Sequence, residues 1–179
     1  MGEGAWLVGF LVLQRGIELA LAARNTARLR AAGAVEFGAG HYPLLVALHA
    51  AWLLTLAWAG HDRPVDGGWL TAFIVLQAGR VWVIASLGPR WTTRVLVLRG
   101  AKPVARGPYR WLKHPNYGVV ALEIAVVPLA LGLPWVALAF TVANAAVLAW
   151  RIRVENQALV WAVDGGAPPG AILSATLAK

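Results

Sequence analysis

The chain has no cysteine, so disulfides and cysteine-based metal or redox chemistry are excluded, and no metal site is expected. Charge is also scarce. Only 13% of the 179 residues are charged, against roughly a quarter in ordinary soluble domains. Acidic residues number 8, half of the 16 lysines and arginines. No basic n-region precedes the first apolar run, where Glu3 stands instead, so a cleaved signal peptide is not expected. What is present is apolar: 59% of the residues are hydrophobic, ten are tryptophan, and mean hydropathy is +0.63. A soluble fold of this length cannot bury so much apolar surface. The expected class is an all-α integral membrane protein, a single domain over 1–179. A net charge of +8 would also suit nucleic acid. Here, however, the cations occupy short segments between apolar runs, so membrane lipids are expected as partners and nucleic acid is not.

A hydrocarbon core needs about 20 apolar residues per helix. Such runs lie at about 5–23, 43–59 and 69–87, and a longer one covers 117–150. As one helix the last would be roughly 50 Å long at about 1.5 Å per residue, too long for a single crossing. Gly132-Leu133-Pro134 interrupts it, which predicts a tight helical hairpin and about five transmembrane helices in all. Arg24, Arg28 and Arg30 follow the first run. Arg90, Arg94, Arg99, Lys102, Arg106, Arg110 and Lys113 follow the third, and Arg151 and Arg153 follow the last. The positive-inside rule then places the N-terminus outside and the C-terminus in the cytoplasm. Most of the tryptophans fall near span ends, where indole rings anchor at the headgroup level.

Ionisable groups inside a bilayer must find partners or serve a function. Arg15 and Glu18 are three apart on one helical face and suit each other. Arg80 and Glu123 have no opposite charge nearby on their own helices. They either pair between helices or flank a substrate cavity. His49, Gln77 and Asn144 fit helix–helix hydrogen bonds.

The densest polar chemistry is RGPYRWLKHPNYG, residues 106–118, with three cations, a histidine, two prolines, two glycines and three aromatics. GPYRWLKHPNY, then Glu123, then RIRVEN at 151–156 after the apolar hairpin, resembles the isoprenylcysteine carboxyl methyltransferase family of integral-membrane S-adenosylmethionine enzymes. RNTARLRAAGAVEFGAGHYP, RVWVIASLGPRWTTRVLVL and HPNYGVVALEIAVVPLALG extend the likeness over nearly the whole chain. They resemble a bacterial branch that O-methylates alkylresorcinols or alkylpyrones. Glu155-Asn156 stands where the family usually has two acidic residues, and DGGAPPGAILSATLAK replaces the aromatic-rich tail of eukaryotic members.

The resemblance implies S-adenosylmethionine as cofactor, bound by a C-terminal part at about 88–165, with His114, Tyr117, Arg153 and Glu155 lining its pocket. No βαβ unit can be placed, so loops and helix ends must hold the cofactor. Gly107, Pro108 and Pro115 would shape the backbone, while Tyr109, His114, Asn116 and Tyr117 offer hydrogen bonds and flat faces. Arg151 or Arg153 suits the cofactor carboxylate, and Glu155 its ammonium or ribose. The acceptor is expected to be a lipophilic small molecule entering from the bilayer, either a phenolic lipid or a prenylcysteine-like carboxylate. A phenol near pKa 10 gains from a general base. Glu123 or His114 would take that proton, and Arg80 or Arg94 would steady the oxyanion. The expected location is a bacterial inner membrane, with the site facing the cytoplasm. Two other readings stay open: an NADPH-dependent membrane reductase of the sterol type, and a non-catalytic helical scaffold or transporter.

Overall fold

A computed structural model describes residues 2–164. The remaining C-terminal residues, 165–179, lie outside the described part, and with them nearly all of the tail contrasted above. Five helices carry the fold: α1 (Glu3–Ala31), α2 (Tyr42–Gly60), α3 (Gly67–Leu87), α4 (Pro115–Ala130) and α5 (Pro134–Asp164). Four of them are long and apolar enough to cross a membrane, and α4, with 16 residues, is a shorter apolar helix. The chain is a mostly helical integral membrane protein.

Helix ends follow local chemistry. Asp66 caps α3 by accepting the Trp69 N–H at 3.0 Å, satisfying one of the orphan donors of a first turn. Pro43, Pro115 and Pro134 stand in the opening turns of α2, α4 and α5, where a missing N–H costs nothing. The expected hairpin is present: Gly132, at φ +65°, makes the reversal between α4 and α5, a conformation that disfavours any side chain with a Cβ.

The N-terminus, the α2–α3 loop and the α4–α5 turn meet at one end of the bundle. Gly4 donates to the Arg63 carbonyl at 3.1 Å, Val65 to the Glu3 carboxylate at 2.8 Å, and Asp66 to the Ala130 carbonyl at 2.8 Å. The basic segments gather at the other end. Two of them are helical rather than linkers. Arg24, Arg28 and Arg30 ride on the last turns of α1, and Arg151 and Arg153 lie within α5. At about 1.5 Å per residue, helices of 29 and 31 residues exceed a hydrocarbon thickness of about 30 Å. The basic last turn of α1 also complements its helix dipole.

Period-2 patterning too short to notice produces one further element. β1 (Val35–Phe37) pairs antiparallel with β2 (Val95–Val97), Glu36 opposite Leu96. This ribbon ties the α1–α2 connection to the long segment 88–114, and Phe37 and Val95 pack on Ala158, Trp161 and Ala162 of α5. Leu11, Trp52, Leu56, Ile124 and Val127 form the main core among α1, α2 and α4. Trp52, Trp91 and Trp161 are therefore buried rather than headgroup anchors, which corrects the reading from span ends.

Midway through the bundle, Arg15 bonds Glu18 at 2.7 Å and also reaches Glu123. Arg80 bonds the same two carboxylates, and Gln77 donates to Glu123 at 2.8 Å. Arg80 and Glu123 thus form an interhelical pair within a network of two cations and two anions from α1, α3 and α4. Removing one partner of a buried pair costs roughly 3–5 kcal/mol because the other charge is stranded. Glu123→Gln, which keeps the shape, is expected to lower bundle stability by about 3 kcal/mol on thermal denaturation in detergent micelles. Ligand affinity at the basic end should change less than about threefold, since uncoupled distant sites are nearly additive.

Candidate functional site

Residues 88–114 run across the basic end as a chain of short elements: a 3₁₀ turn at Gly88–Arg90, β2, and a second 3₁₀ turn at Gly107–Arg110. Gly107 fixes the second turn at φ +56°, and a Cβ there would lie 2.0 Å from the Ser86 hydroxyl. The segment can approach the end of α3 only because Gly107 has no side chain. Arg106 Nε donates to the Ser86 carbonyl at 2.6 Å and anchors the same corner. Pro115 then opens α4, so the side chains of Asn116 and Tyr117 issue from its first turn next to the last turns of α5.

Between this segment and α5 lies a cavity of about 670 Å³. Its polar wall includes Tyr109, His114, Asn116, Tyr117, Arg151 and Glu155, and its apolar wall includes Leu29, Leu87, Leu96, Leu98, Leu159 and Val163. A cavity with two such walls suits an amphipathic ligand.

The polar wall is tightly wired. Tyr117 Oη donates to Glu155, and Arg151 Nε donates to Tyr117 Oη at 2.8 Å. Arg151 Nη2 donates to the Thr93 carbonyl at 2.8 Å, which joins α4, α5 and the 88–114 segment through one guanidinium. The His114 ring stacks on Tyr117 with centroids 5.4 Å apart. Its Nε2 faces Asn156 Oδ1 at 3.1 Å, and its Nδ1 faces Glu155 at 3.6 Å. The Glu155 bond, strengthened by the carboxylate charge and the Asn156 contact, outweighs desolvation and holds the His114 pKa above its ordinary 6.5. Burial, with the Glu155 charge second, pushes the Tyr109 phenol far up, so it stays a neutral hydroxyl.

Several buried atoms on the cavity wall lack a partner: Tyr109 Oη, Asn116 Oδ1, Arg151 Nη1 and Trp91 Nε1. Buried polar groups are nearly always bonded. Three such donors and one such amide oxygen belong to residues of a single cavity lining, a set that a polar ligand would satisfy.

The expected site residues divide into three groups. Tyr109, His114, Asn116, Tyr117, Arg151, Glu155 and Arg94 all line the cavity. Gly107, Pro108 and Pro115 do not line it and act through backbone shape. Arg153 is exposed on α5 and stands outside the lining, because it projects about 160° around the helix from Glu155's other neighbour Arg151, two residues being 200° at 3.6 per turn. Arg80 and Glu123 also stand outside the lining: Glu123 is six residues into α4 from Tyr117, about 9 Å along its axis, and its oxygens are taken by Arg15, Arg80 and Gln77. Arg94 lines the cavity but is already engaged. It bonds Glu36 at 2.6 Å and lies 4.1 Å over the Tyr42 ring. Burial raises the Glu36 pKa, but the bonds and charges of Arg94 and Arg30 win and hold it below 4.5. Trp91 was missed, because a tryptophan next to a span end reads as an anchor.

A model of the Isoprenylcysteine carboxyl methyltransferase (ICMT) family matches residues 69–161, which contain the whole polar wall. The chain is also 37% identical over 158 residues to Uncharacterized protein YpbQ of Bacillus subtilis (strain 168), covering 86% of this chain and 94% of that one. No solved structure matches.

A raised imidazole pKa means that the folded protein favours the protonated ring. The stability it contributes is complete below the ordinary 6.5 and is lost as pH rises through the folded value. The His114 ring protons followed by NMR are expected to titrate with a midpoint above 6.5. Glu155→Gln should move that midpoint down, because the first cause of the shift is the Glu155 bond.

Proposed function

The chain belongs to the isoprenylcysteine carboxyl methyltransferase family, and we propose that it is an S-adenosylmethionine-dependent methyltransferase that O-methylates a lipophilic acceptor at the membrane interface. One observation carries the reading: unpaired buried polar atoms belong to residues that line a single cavity, and apolar side chains line the same cavity. S-adenosylmethionine brings a carboxylate, an ammonium, a ribose and an adenine, and that donor set fits the polar wall. Arg151, with Nη1 free, is placed for the carboxylate. Glu155 accepts from the ammonium or ribose, and Asn116 Oδ1 and Tyr109 Oη complete the hydrogen bonds. When bound, the cofactor supplies a methyl group on a sulfonium, ready for in-line displacement.

The chain's own contribution is then positioning and proton control. Leu96, Leu98, Leu159 and Val163 give the acceptor's hydrocarbon an apolar surface, which keeps its oxygen at the polar wall. The two ring nitrogens of His114 face Asn156 Oδ1 and the Glu155 carboxylate, which fixes the orientation of the ring. The His114 imidazole is the group that receives the acceptor's proton, with Glu155 stabilising the imidazolium that results. Glu123 and Arg80 hold the bundle together instead. We place the cofactor-binding part at about 88–165, and the site on the cytoplasmic face of a bacterial inner membrane, where the positive-inside rule puts the basic end. The favoured acceptor is an alkylresorcinol- or alkylpyrone-type phenolic lipid, because a phenol uses the base that a prenylcysteine-like carboxylate does not need.

Purified protein is expected to bind S-adenosylhomocysteine and not NADPH, and the opposite result overturns the methyltransferase reading. With labelled S-adenosylmethionine, label should pass to an alkylresorcinol, with prenylcysteine and phosphatidylethanolamine as the competing acceptors. Arg151→Ala should weaken S-adenosylhomocysteine at least tenfold, the loss of a charge-assisted bond worth about 1.5–3 kcal/mol.

The base must be unprotonated. For a phenolic acceptor, kcat/KM should therefore rise with pH through the His114 midpoint, above 6.5. A profile flat across that range identifies a carboxylate acceptor.

A further inference from the structure

Trp91 is the one tryptophan that combines three properties among the described residues: it is 3% exposed, it lines the cavity, and its indole N–H has no partner. Trp52 shares the unpaired indole N–H but sits in the apolar core among α1, α2 and α4, away from the cavity. An indole nitrogen only donates, so whatever satisfies Trp91 brings an oxygen lone pair.

The position of Trp91 is fixed from two sides. Asn25, 1% exposed on α1, donates through Nδ2 to the Trp91 carbonyl at 2.8 Å and to the Gly88 carbonyl at 3.3 Å. The Trp91 backbone N–H donates to the Gly88 carbonyl at 3.0 Å, closing the turn that ends α3. Two residues on, the Thr93 carbonyl accepts from Arg151 Nη2 at 2.8 Å. The strand of backbone that holds the indole is thus bonded to the guanidinium whose other terminal nitrogen, Nη1, is buried and unpaired. A free guanidinium N–H and a free indole N–H are the two donors a single anionic oxygen group needs. A rigid, desolvated donor pair is worth more than either group in water.

We propose that Trp91 Nε1 and Arg151 Nη1 form a two-donor corner that binds an anionic oxygen of the reaction's ligands, with Asn25 as its positioning residue. That oxygen belongs either to the amino-acid carboxylate of the cofactor or to the acceptor. The choice of probes rests on the methyltransferase reading, while the corner itself rests on the two unpaired donors. It also gives α1, outside the matched residues 69–161, a part in ligand binding.

The test uses the full chain in detergent micelles. Trp91→Phe removes the N–H and keeps an aromatic ring, and Trp52→Phe is the control. By calorimetry, W91F should weaken S-adenosylhomocysteine about tenfold while leaving 5′-methylthioadenosine, which lacks the carboxylate, unchanged. If both adenosyl ligands hold and an alkylresorcinol weakens about tenfold instead, the corner serves the acceptor. If no probe responds to W91F, or if W52F matches its effect, the proposal is overturned. A readout independent of any variant's folding comes from 15N-indole NMR of the unsubstituted protein. One of its ten indole N–H resonances should move downfield on adding S-adenosylhomocysteine or the alkylresorcinol, and not with 5′-methylthioadenosine. No such movement with either ligand also overturns it. If S-adenosylhomocysteine does not bind at all, the methyltransferase reading fails. The corner is then judged by acetate, a bare carboxylate, whose failure to move any indole resonance overturns it separately.

Discussion

A guanidinium held among apolar helices has no water to turn to, so each N–H it buries needs an acceptor from the protein or from a ligand. Two arginines of this chain show the two outcomes. Arg80, 2% exposed, sits between the carboxylates of Glu18 and Glu123 and fastens α3 to α1 and α4. Arg151, 6% exposed, bonds the Tyr117 hydroxyl and the Thr93 carbonyl but keeps Nη1 free. The first arrangement is closed and serves the bundle. The second is incomplete, and its arginine lines the cavity.

The same division runs along the helices. Toward the end with short turns, the core is apolar and α1, α2 and α4 pack on Leu11, Trp52, Leu56 and Ile124. Toward the basic end, α1 and α5 outrun the bilayer and α4 begins, leaving room for residues 88–114. That segment is irregular, and irregular backbone is tolerated at membrane depth only where protein or a cavity satisfies it. Here β1, Asn25, Ser86 and Arg151 supply the partners. The wall of the cavity is therefore built from backbone that has been tied down in four places, which keeps its polar side chains in fixed positions for a ligand.

Fixed position has a chemical consequence at His114. Stacked on Tyr117 and held between Asn156 and Glu155, the ring keeps one orientation and has a carboxylate partner when charged. A proton can be taken up without the ring having to turn. This is the arrangement that the role proposed for His114, as the acceptor of a proton, requires.

The sequence by itself determined the apolar helices, the hairpin at Gly132 and the concentration of cations in a few segments, because these follow from hydropathy, backbone preference and charge counted along the chain. It also singled out two polar stretches, since GPYRWLKHPNY and RIRVEN stand out from their surroundings whatever the fold. Tertiary structure alone decided how those residues are spent. Glu123 and Arg80 look unpaired in their spans until Arg15, Glu18 and Gln77 are brought up to bond them. Arg151 and Arg153 are equal in sequence, yet a helix turn sends one into the cavity and the other outward. Trp91 reads as an anchor until α1 brings Asn25 to pin it inside. Each of these is a matter of which partner from a distant part of the chain satisfies a polar group, and nothing local to a residue records that.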